Sequence, residues 1–378
     1  MSINPISRPY GRCPIASRNA FAYLTTERRT VRALIFETIG EPCDVLRLED
    51  IEETKPAQGE VLLQMLFSPV NPSDLHMVRG RYGYQPSLPA SPGAEGVGIV
   101  LEVGPDVTNV HAGDRVICIG TWNLWRETAI CKASNVVPVS DTISDEAAAT
   151  CYQNPLTAWA LTQSVKKLKR GEWVLQTAAA SSVGRLVLQL SKIYGFRTIN
   201  VIHRRVQAGI IGTLGGDEVV CTEDEDLRTR LQQITGGKGI EYAIDCVAGD
   251  VGGEIVRNLA SGGMLVQFGA LSSHRQTDPA KFLMPVFSPK LIYSAAYVRG
   301  WWIPRWLETQ PIESVRQVIT ELLKMIGEGR LTLPPTTSVP LQHYKKAIAM
   351  ADGGSSEGKK VLLGLSNIAS KPTLVDQA

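Results

Sequence analysis

A chain of 378 residues, 44% hydrophobic and 20% charged, carries enough apolar side chains to bury the cores of two ordinary-sized domains. Its formal net charge of +2 offers no electrostatic footprint for nucleic acid or an anionic membrane as partner, and no apolar run approaches the roughly 20 residues that cross a bilayer. The seven cysteines (Cys13, Cys43, Cys118, Cys131, Cys151, Cys221, Cys246) are scattered and never spaced C-x-x-C, which fits a reducing compartment and argues against a disulfide framework.

Residues 1–30 read as an N-terminal extension. From Met1 to Thr26 there are three arginines and no acid, as in a transit peptide, but Pro5, Pro9 and Pro14 would break the amphipathic helix such a peptide needs. A targeting segment, a disordered extension and a start codon placed too far upstream all fit. The cytoplasm is the expected compartment and the mitochondrion its alternative.

The fold proper is expected from Arg32, with VRALIFE as a strand and Gly40-Glu41-Pro42 as its turn. Strand-like runs follow at Glu60–Phe67, Gly96–Val103, Asp114–Ile119 and Glu127–Cys131, separated by Pro- and Gly-rich turns. Short strands with frequent turns predict a compact, mostly antiparallel β domain. From Asp145 the pattern changes: Glu146–Cys151 and Pro155–Val165 are helix-like, and Val174–Gln176 begins an alternation of strands and helices. It continues through strands at Arg197–Ile202, Glu218–Cys221, Tyr242–Cys246, Met264–Gly269 and Leu291–Val298, with helices at Leu227–Thr235 and Val251–Leu259 between them. Such alternation predicts a parallel sheet covered on both faces. A long helix, Ile312–Glu328, a second from Gln342 to Met350 and a strand Gly358–Leu363 that returns to the first domain complete the reading; residues 366–378 form a tail.

Within the second half, Trp173 to Arg205 reads as strand, small-residue turn, helix and strand. The turn and helix start, Ala179-Ala180-Ser181-Ser182-Val183-Gly184, would bring a pyrophosphate to backbone N–H groups at a helix N-terminus. Only one of three expected glycines remains, and Gly184 suits close packing of helix on strand. The second strand closes on His203-Arg204-Arg205. An acid there would bond the 2′-hydroxyl of NAD, whereas guanidinium groups suit the 2′-phosphate of NADP. The alternatives are a βαβ unit without ligand and, for the arginines, a solvated strand end.

Further stretches are Asn71-Pro72-Ser73-Asp74, Arg79-Gly80-Arg81-Tyr82-Gly83, PGAEGVG from Pro92 to Gly98, and Trp125-Arg126-Glu127. They are followed by Asn154-Pro155-Leu156-Thr157-Ala158, RTINV from Arg197 to Val201, and Gly300-Trp301-Trp302 with Trp306. In this order and spacing, from Val31 to Leu363, the chain resembles the medium-chain dehydrogenase/reductase superfamily. Within it, the likeness is to the 2-enoyl thioester reductases, the group that includes the mitochondrial enoyl-CoA/ACP reductases. The resemblance implies an α/β fold, with a catalytic GroES-like β domain over 31–153 and 299–365 and a doubly wound Rossmann domain for NADPH over 154–298. Zinc-dependent members of the superfamily carry a Gly-His-Glu, paired cysteines and a four-cysteine lobe. Here Ala94 follows Pro92-Gly93 and the lobe is missing, so no metal is expected. The balance moves from simple alcohols toward an activated C=C bond.

The resemblance places Tyr82 at the catalytic tyrosine; a phenol stays protonated at neutral pH and can hydrogen-bond an enolate or deliver a proton. Tyr84 is its competitor, and a plain loop aromatic is the bland alternative. Trp302 and Trp301 fall near the nicotinamide and acyl pocket, with packing equally open for Trp301. Asn71 and Asp74 would fix the loop that carries Tyr82. Asn154, opening a helix with Pro155 at its first position, would reach the carboxamide or substrate, or serve only as a cap. Phe268, Gly269 and Ala270 end a later strand and would line the nicotinamide site.

The expected activity is NADPH-dependent reduction of the C=C bond of trans-2-enoyl thioesters, on CoA or acyl carrier protein. Arg299 and Arg305 are candidates at the cleft mouth. A zinc-free quinone or 2-alkenal reductase and, from another class, a non-catalytic NADPH-binding protein are the competing readings. A homodimer is expected, because the strand Leu291–Val298 would leave an open sheet edge for its two-fold mate.

Overall fold

The computed structural model describes residues 29–353 and 358–366; the transit-like segment Met1–Thr26 and the tail after Ser366 lie outside the described residues. The strand Glu60–Pro69 is apolar on both faces and almost wholly buried, and it becomes the centre of a seven-stranded sheet. It pairs antiparallel with Val97–Val103, Thr128–Lys132 and Lys360–Gly364. Beyond these lie Arg115–Cys118 and Val136–Pro138 on one side and Thr336–Pro340 on the other. Gly98 permits the close approach at one register shift, since a Cβ there would fall 2.7 Å from the Gln64 carbonyl oxygen. A hairpin of Thr30–Ile35 with Arg47–Glu52 lies beside this sheet, and Arg32 clamps Glu127 through Nε and Nη2 at 2.9 and 2.7 Å. Leu34, Leu63, Met65 and Trp125 are fully buried in the core between them.

The second unit is a six-stranded sheet, parallel throughout. Its order is Glu218–Cys221, Arg197–Ile202, Trp173–Gln176, Ile240–Asp245, Leu259–Gln267 and Tyr297–Gly300. Its central strands are largely buried, with apolar stretches such as Val174–Leu175, Ala243–Ile244 and Leu265–Val266, because helices cover both faces. The order reverses between Trp173–Gln176 and Ile240–Asp245, so a crevice opens beyond the carboxyl ends of those two strands, where ligands of such sheets lie. The helix Ile312–Gly327 buries Val315, Ile319, Leu322 and Leu323, one stripe at helical spacing, against the core shared with this unit. Truncating any of these to alanine would cost about 2–5 kcal/mol.

Three expectations at the element level are corrected. The run Leu291–Val298 is not one strand: Ser288–Ser294 is a helix with Pro289 in its first turn, Ala295 turns left-handed at φ 46°, and the edge strand is Tyr297–Gly300. A short apolar run carries no periodicity that separates strand from helix, and the proline was the better guide. The helix expected at Val251–Leu259 runs Gly249–Arg257, and Leu259 already starts the next strand, which ends at Gln267 rather than Gly269. The helix expected from Asn154 starts at Gln153, with Tyr152 at its N-cap, so neither Asn154 as cap nor Pro155 at the first position holds.

Candidate active site

After the strand Trp173–Gln176 the chain turns through Ala178, held at φ 45°, and enters the helix Ser182–Tyr194. Ser181 caps that helix by accepting from the Gly184 N–H at 3.2 Å. The N–H groups of Ser182 and Val183 have no hydrogen-bond partner among the described residues and are donors of the first turn. Gly184 is packed so closely that a Cβ would sit 2.4 Å from the Ala179 carbonyl oxygen. The turn therefore has what a pyrophosphate cradle requires: small side chains, free amides and a 13-residue helix whose dipole favours an anion. Ala179 is buried and its N–H bonds the Val201 carbonyl at 3.2 Å, while the Ala180 carbonyl accepts from Arg185 Nε at 2.8 Å.

The basic strand end is divided. His203, Arg204 and Arg205 are all exposed. Arg205 is occupied by carboxylates, with Nε 2.8 Å from Asp224 and Nη2 3.1 Å from Glu225; these bonds hold its guanidinium more firmly protonated than usual. His203 Nδ1 lies 3.3 Å from Thr222 Oγ1. Arg204 presents a guanidinium with no carboxylate partner among the described residues, so it and His203 are better placed than Arg205 to meet a phosphate.

Asn71 is buried at the N-terminus of the helix Pro72–Val78, where its N–H donates to Asp74 Oδ2 at 2.9 Å. Its side-chain Nδ2 donates to Glu95 Oε1 and to Gln153 Oε1, each at 3.0 Å, and its Oδ1 accepts from Lys360 Nζ. Glu95 Oε2 accepts from the Gln153 N–H at 2.7 Å, fixing the start of the helix that carries Asn154. Burial pushes Asp74 up to about 7, raises Glu95 and lowers Lys360, with the mutual charges working against each of these shifts except the Asp74–Glu95 repulsion. Asn71 is thus the knot of a buried polar network, as a positioning role requires.

Tyr82 and Trp302 meet although 220 residues separate them. Trp302 Nε1 donates to the Tyr82 hydroxyl at 2.8 Å, and the rings pack edge to face at 5.4 Å between centroids. Gly83 leaves room for the indole, since a Cβ there would lie 3.1 Å from its ring. Burial pushes the phenol up to about 12 against the opposing pull of the Trp302 bond. Its own O–H makes no other hydrogen bond among the described residues, so it is free to donate. Tyr84 is exposed and stacks on Trp122 at 5.1 Å.

A cleft of about 370 Å³ lies between the two units. Asn71, Tyr82, Asn154, Val183, Phe268, Gly269, Ala270, Trp301 and Trp302 all reach its walls, so the structure brings the two predicted halves together. His203, Arg204 and Arg205 are not among its walls. Trp301 is buried, with its indole N–H unpartnered among the described residues, while its backbone N–H donates to the Gln267 carbonyl. Across Trp302 a second cavity of about 390 Å³ is walled by Tyr84, Trp122, Tyr152, Leu307 and Val315.

Sequence reasoning passed over Gln153, Glu95 and Lys360, which tie Asn71 in place, and His76 on the cleft wall. It also passed over Asp245, which ends the strand Ile240–Asp245 beside the turn. Asp245 accepts from Thr177 Oγ1 at 2.5 Å and from the N–H groups of Val247 and Ala248 at 2.8 and 3.0 Å. It thereby steadies Ala248 at φ 62°, a conformation costly for a residue with a side chain. An acid at the carboxyl end of a parallel strand was the available signal. Among the described residues, no group of three or more His, Cys, Asp or Glu is placed to hold a metal ion.

Residues 57–141 match the family described as alcohol dehydrogenase GroES-like domain, and residues 182–323 match zinc-binding dehydrogenase. The chain is 32% identical over 341 residues to the mitochondrial enoyl-[acyl-carrier-protein] reductase of Xenopus tropicalis, covering 88% of this chain and 95% of that protein. Its fold superposes on Escherichia coli quinone oxidoreductase solved with NADPH at a TM-score of 0.78 and 26% identity, over 88% of this chain and 99% of the other. It also superposes on Etr1p, solved with NADP and crotonyl-CoA, at a TM-score of 0.75 and 24% identity, over 89% and 100% of the two chains.

Proposed function

The chain belongs to the medium-chain dehydrogenase/reductase superfamily, and from that membership we propose that this oxidoreductase reduces the C=C bond of trans-2-enoyl thioesters with NADPH. The observation that carries the reading is the bond from the Trp302 indole to the Tyr82 hydroxyl inside the cleft. NADPH, when bound, supplies the hydride that reaches Cβ. The Ala179–Gly184 turn and the helix it opens would hold the pyrophosphate, Arg204 and His203 would meet the 2′-phosphate, and Phe268–Ala270 with Asn154 would line the nicotinamide.

Reduction at Cβ leaves negative charge on the thioester oxygen and Cα in need of a proton. Tyr82, kept protonated by burial and oriented by Trp302, has a free O–H for either task. The cavity beyond Trp302, with its aromatic and aliphatic walls, would take the acyl chain and keep water from it. CoA and acyl carrier protein both present the pantetheine thioester this arrangement needs. The mitochondrial relatives, together with the arginines and missing acids of Met1–Thr26, favour the mitochondrion over the cytoplasm as compartment. Import of a fluorescent fusion, compared with one lacking residues 1–28, tests that choice.

Loss of NADPH absorbance with trans-2-enoyl-CoA, beside a simple quinone, tests the reading. Turnover of the thioester is expected, and Tyr82→Phe should lower kcat by about 10²–10⁴-fold while leaving NADPH affinity intact. Turnover of the quinone alone, indifferent to Tyr82, would move the protein to the second reading, a quinone or 2-alkenal reductase, which the likeness to Escherichia coli quinone oxidoreductase favours.

A further inference from the structure

Outside the Tyr82–Trp302 pair, the densest polar contacts across the cleft run through two histidines. The helix Pro72–Val78 carries His76 on the cleft wall and ends beside Arg79. Facing it is the loop that follows Phe268–Ala270 in the other unit. There His274 Nδ1 lies 2.8 Å from His76 Nε2, and His274 Nε2 lies 3.1 Å from Asp352 Oδ1 on the helix Tyr344–Gly353. Arg79 holds Asp352 from its other side with two bonds at 3.1 and 2.7 Å and reaches Glu41 as well. Arg275 bonds the Asp352 carbonyl, and Arg81 Nη1 donates to the Gln276 carbonyl at 2.8 Å. The rings of His76 and His274 meet edge to face at 4.7 Å.

The protons in this chain are set by its end. Burial acts to raise Asp352, but Arg79 and His274 prevail and keep it below the usual carboxylate range, so it accepts. His274 must then donate through Nε2. Burial lowers both imidazoles, His76 to about 4, so both are neutral at neutral pH. A neutral His274 that donates through Nε2 can only accept at Nδ1, and His76 therefore donates through its Nε2. The relay has a single direction, from His76 to His274 to Asp352, and each ring is fixed in tautomer and orientation by the next.

We infer that His274 is a positioning residue: seated on Asp352 and bonded to His76, it ties the loop after Phe268–Ala270 to the helix that leads into Tyr82. That tie sets the spacing between the wall that lines the nicotinamide and the phenol on the opposite wall. Its kinetic consequence rests on the enoyl reductase reading, because a hydride donor and a proton donor must there address adjacent carbons together, as they need not for a quinone. A misplacement of about 1 Å in such an arrangement costs on the order of 10²-fold in rate.

The test compares His274→Phe, His76→Phe, the double variant and the milder Asp352→Asn, each as the full chain. Amide hydrogen exchange across Leu271–Gln276 should rise in all four, with or without NADPH. With crotonyl-CoA, kcat should fall by about 10–100-fold in each histidine variant, with KM for NADPH changed less than threefold. The double variant should be no slower than the worse single, because both break one connection. Unchanged exchange in the loop, unchanged kcat, or losses that add in the double variant would overturn the inference. Failure of the wild-type protein to reduce crotonyl-CoA would sink the proposed function instead, and hydrogen exchange would still decide whether the tie exists.

Discussion

A phenol that donates a proton must not lose it beforehand, and Tyr82 meets this condition through burial. Its hydroxyl is pushed up from the ordinary value near 10 to about 12. The folded protein thus holds this proton more tightly than the unfolded chain does. The resulting stabilisation is present below pH ~10 and lost as pH rises through about 12. In an ultraviolet titration, the phenolate signal missing from Tyr82→Phe should emerge only above the ordinary tyrosine range. Trp302→Phe, which removes a bond favouring the ionised form, should move it higher still; ionisation near pH 10 in the wild type would show that the phenol is not buried as described. At this scale the sequence was partly legible. Tyr82, Trp302 and Asn71 stand in stretches with a family likeness, as does Glu95 without having been singled out there, whereas Lys360 stands in none. Its importance comes from the sheet that brings strand Lys360–Gly364 against Glu60–Pro69, a pairing no local pattern reveals. Arg205 was legible by its position, but its carboxylate partners were not: Asp224 and Glu225, about 20 residues on, bond its guanidinium.

Elements succeed or fail on whether their ends carry readable chemistry. The strand Arg197–Ile202 and the helix Leu227–Thr235 match their expected bounds because Gly195 and Gly236 are left-handed caps and Asp226 bonds the Thr229 N–H. At Leu291–Val298 the left-handed cap is an alanine, Ala295, rather than a glycine, and the boundary slipped. The helix Ser182–Tyr194 shows how an element makes a site. Two of its three expected glycine positions are filled by Ala179 and Ser181, but Gly184 has no room for a Cβ. Gly184→Ala should push the helix off the strand, lowering stability by about 1–3 kcal/mol and weakening NADPH binding. Thermal melting with a fluorescence titration checks both; an unshifted melting temperature would mean that the helix start moves without penalty.

At the scale of the whole molecule, one edge of the parallel sheet is Tyr297–Gly300, preceded by a helix whose Ile292 and Tyr293 are 68% and 84% exposed. Large apolar side chains beside an edge strand suit a second copy placed about a two-fold axis. Light scattering should give twice 41.1 kDa at micromolar concentration, and Tyr293→Asp should shift it toward a single chain. A monomer in the wild type would remove the dimer from the account. The order of the strands has a consequence for synthesis. The first sheet opens near residue 60 but closes only with Thr336–Pro340 and Lys360–Gly364. On the ribosome, the parallel sheet in between can form while its neighbour is still missing two strands. Lys360 emerges about 60 residues after the last strand of the parallel sheet, so Asn71 waits for this partner until well after that sheet is complete. A message cut short before that codon would yield a protein able to fold its nucleotide-binding half but left with an unfinished wall opposite it.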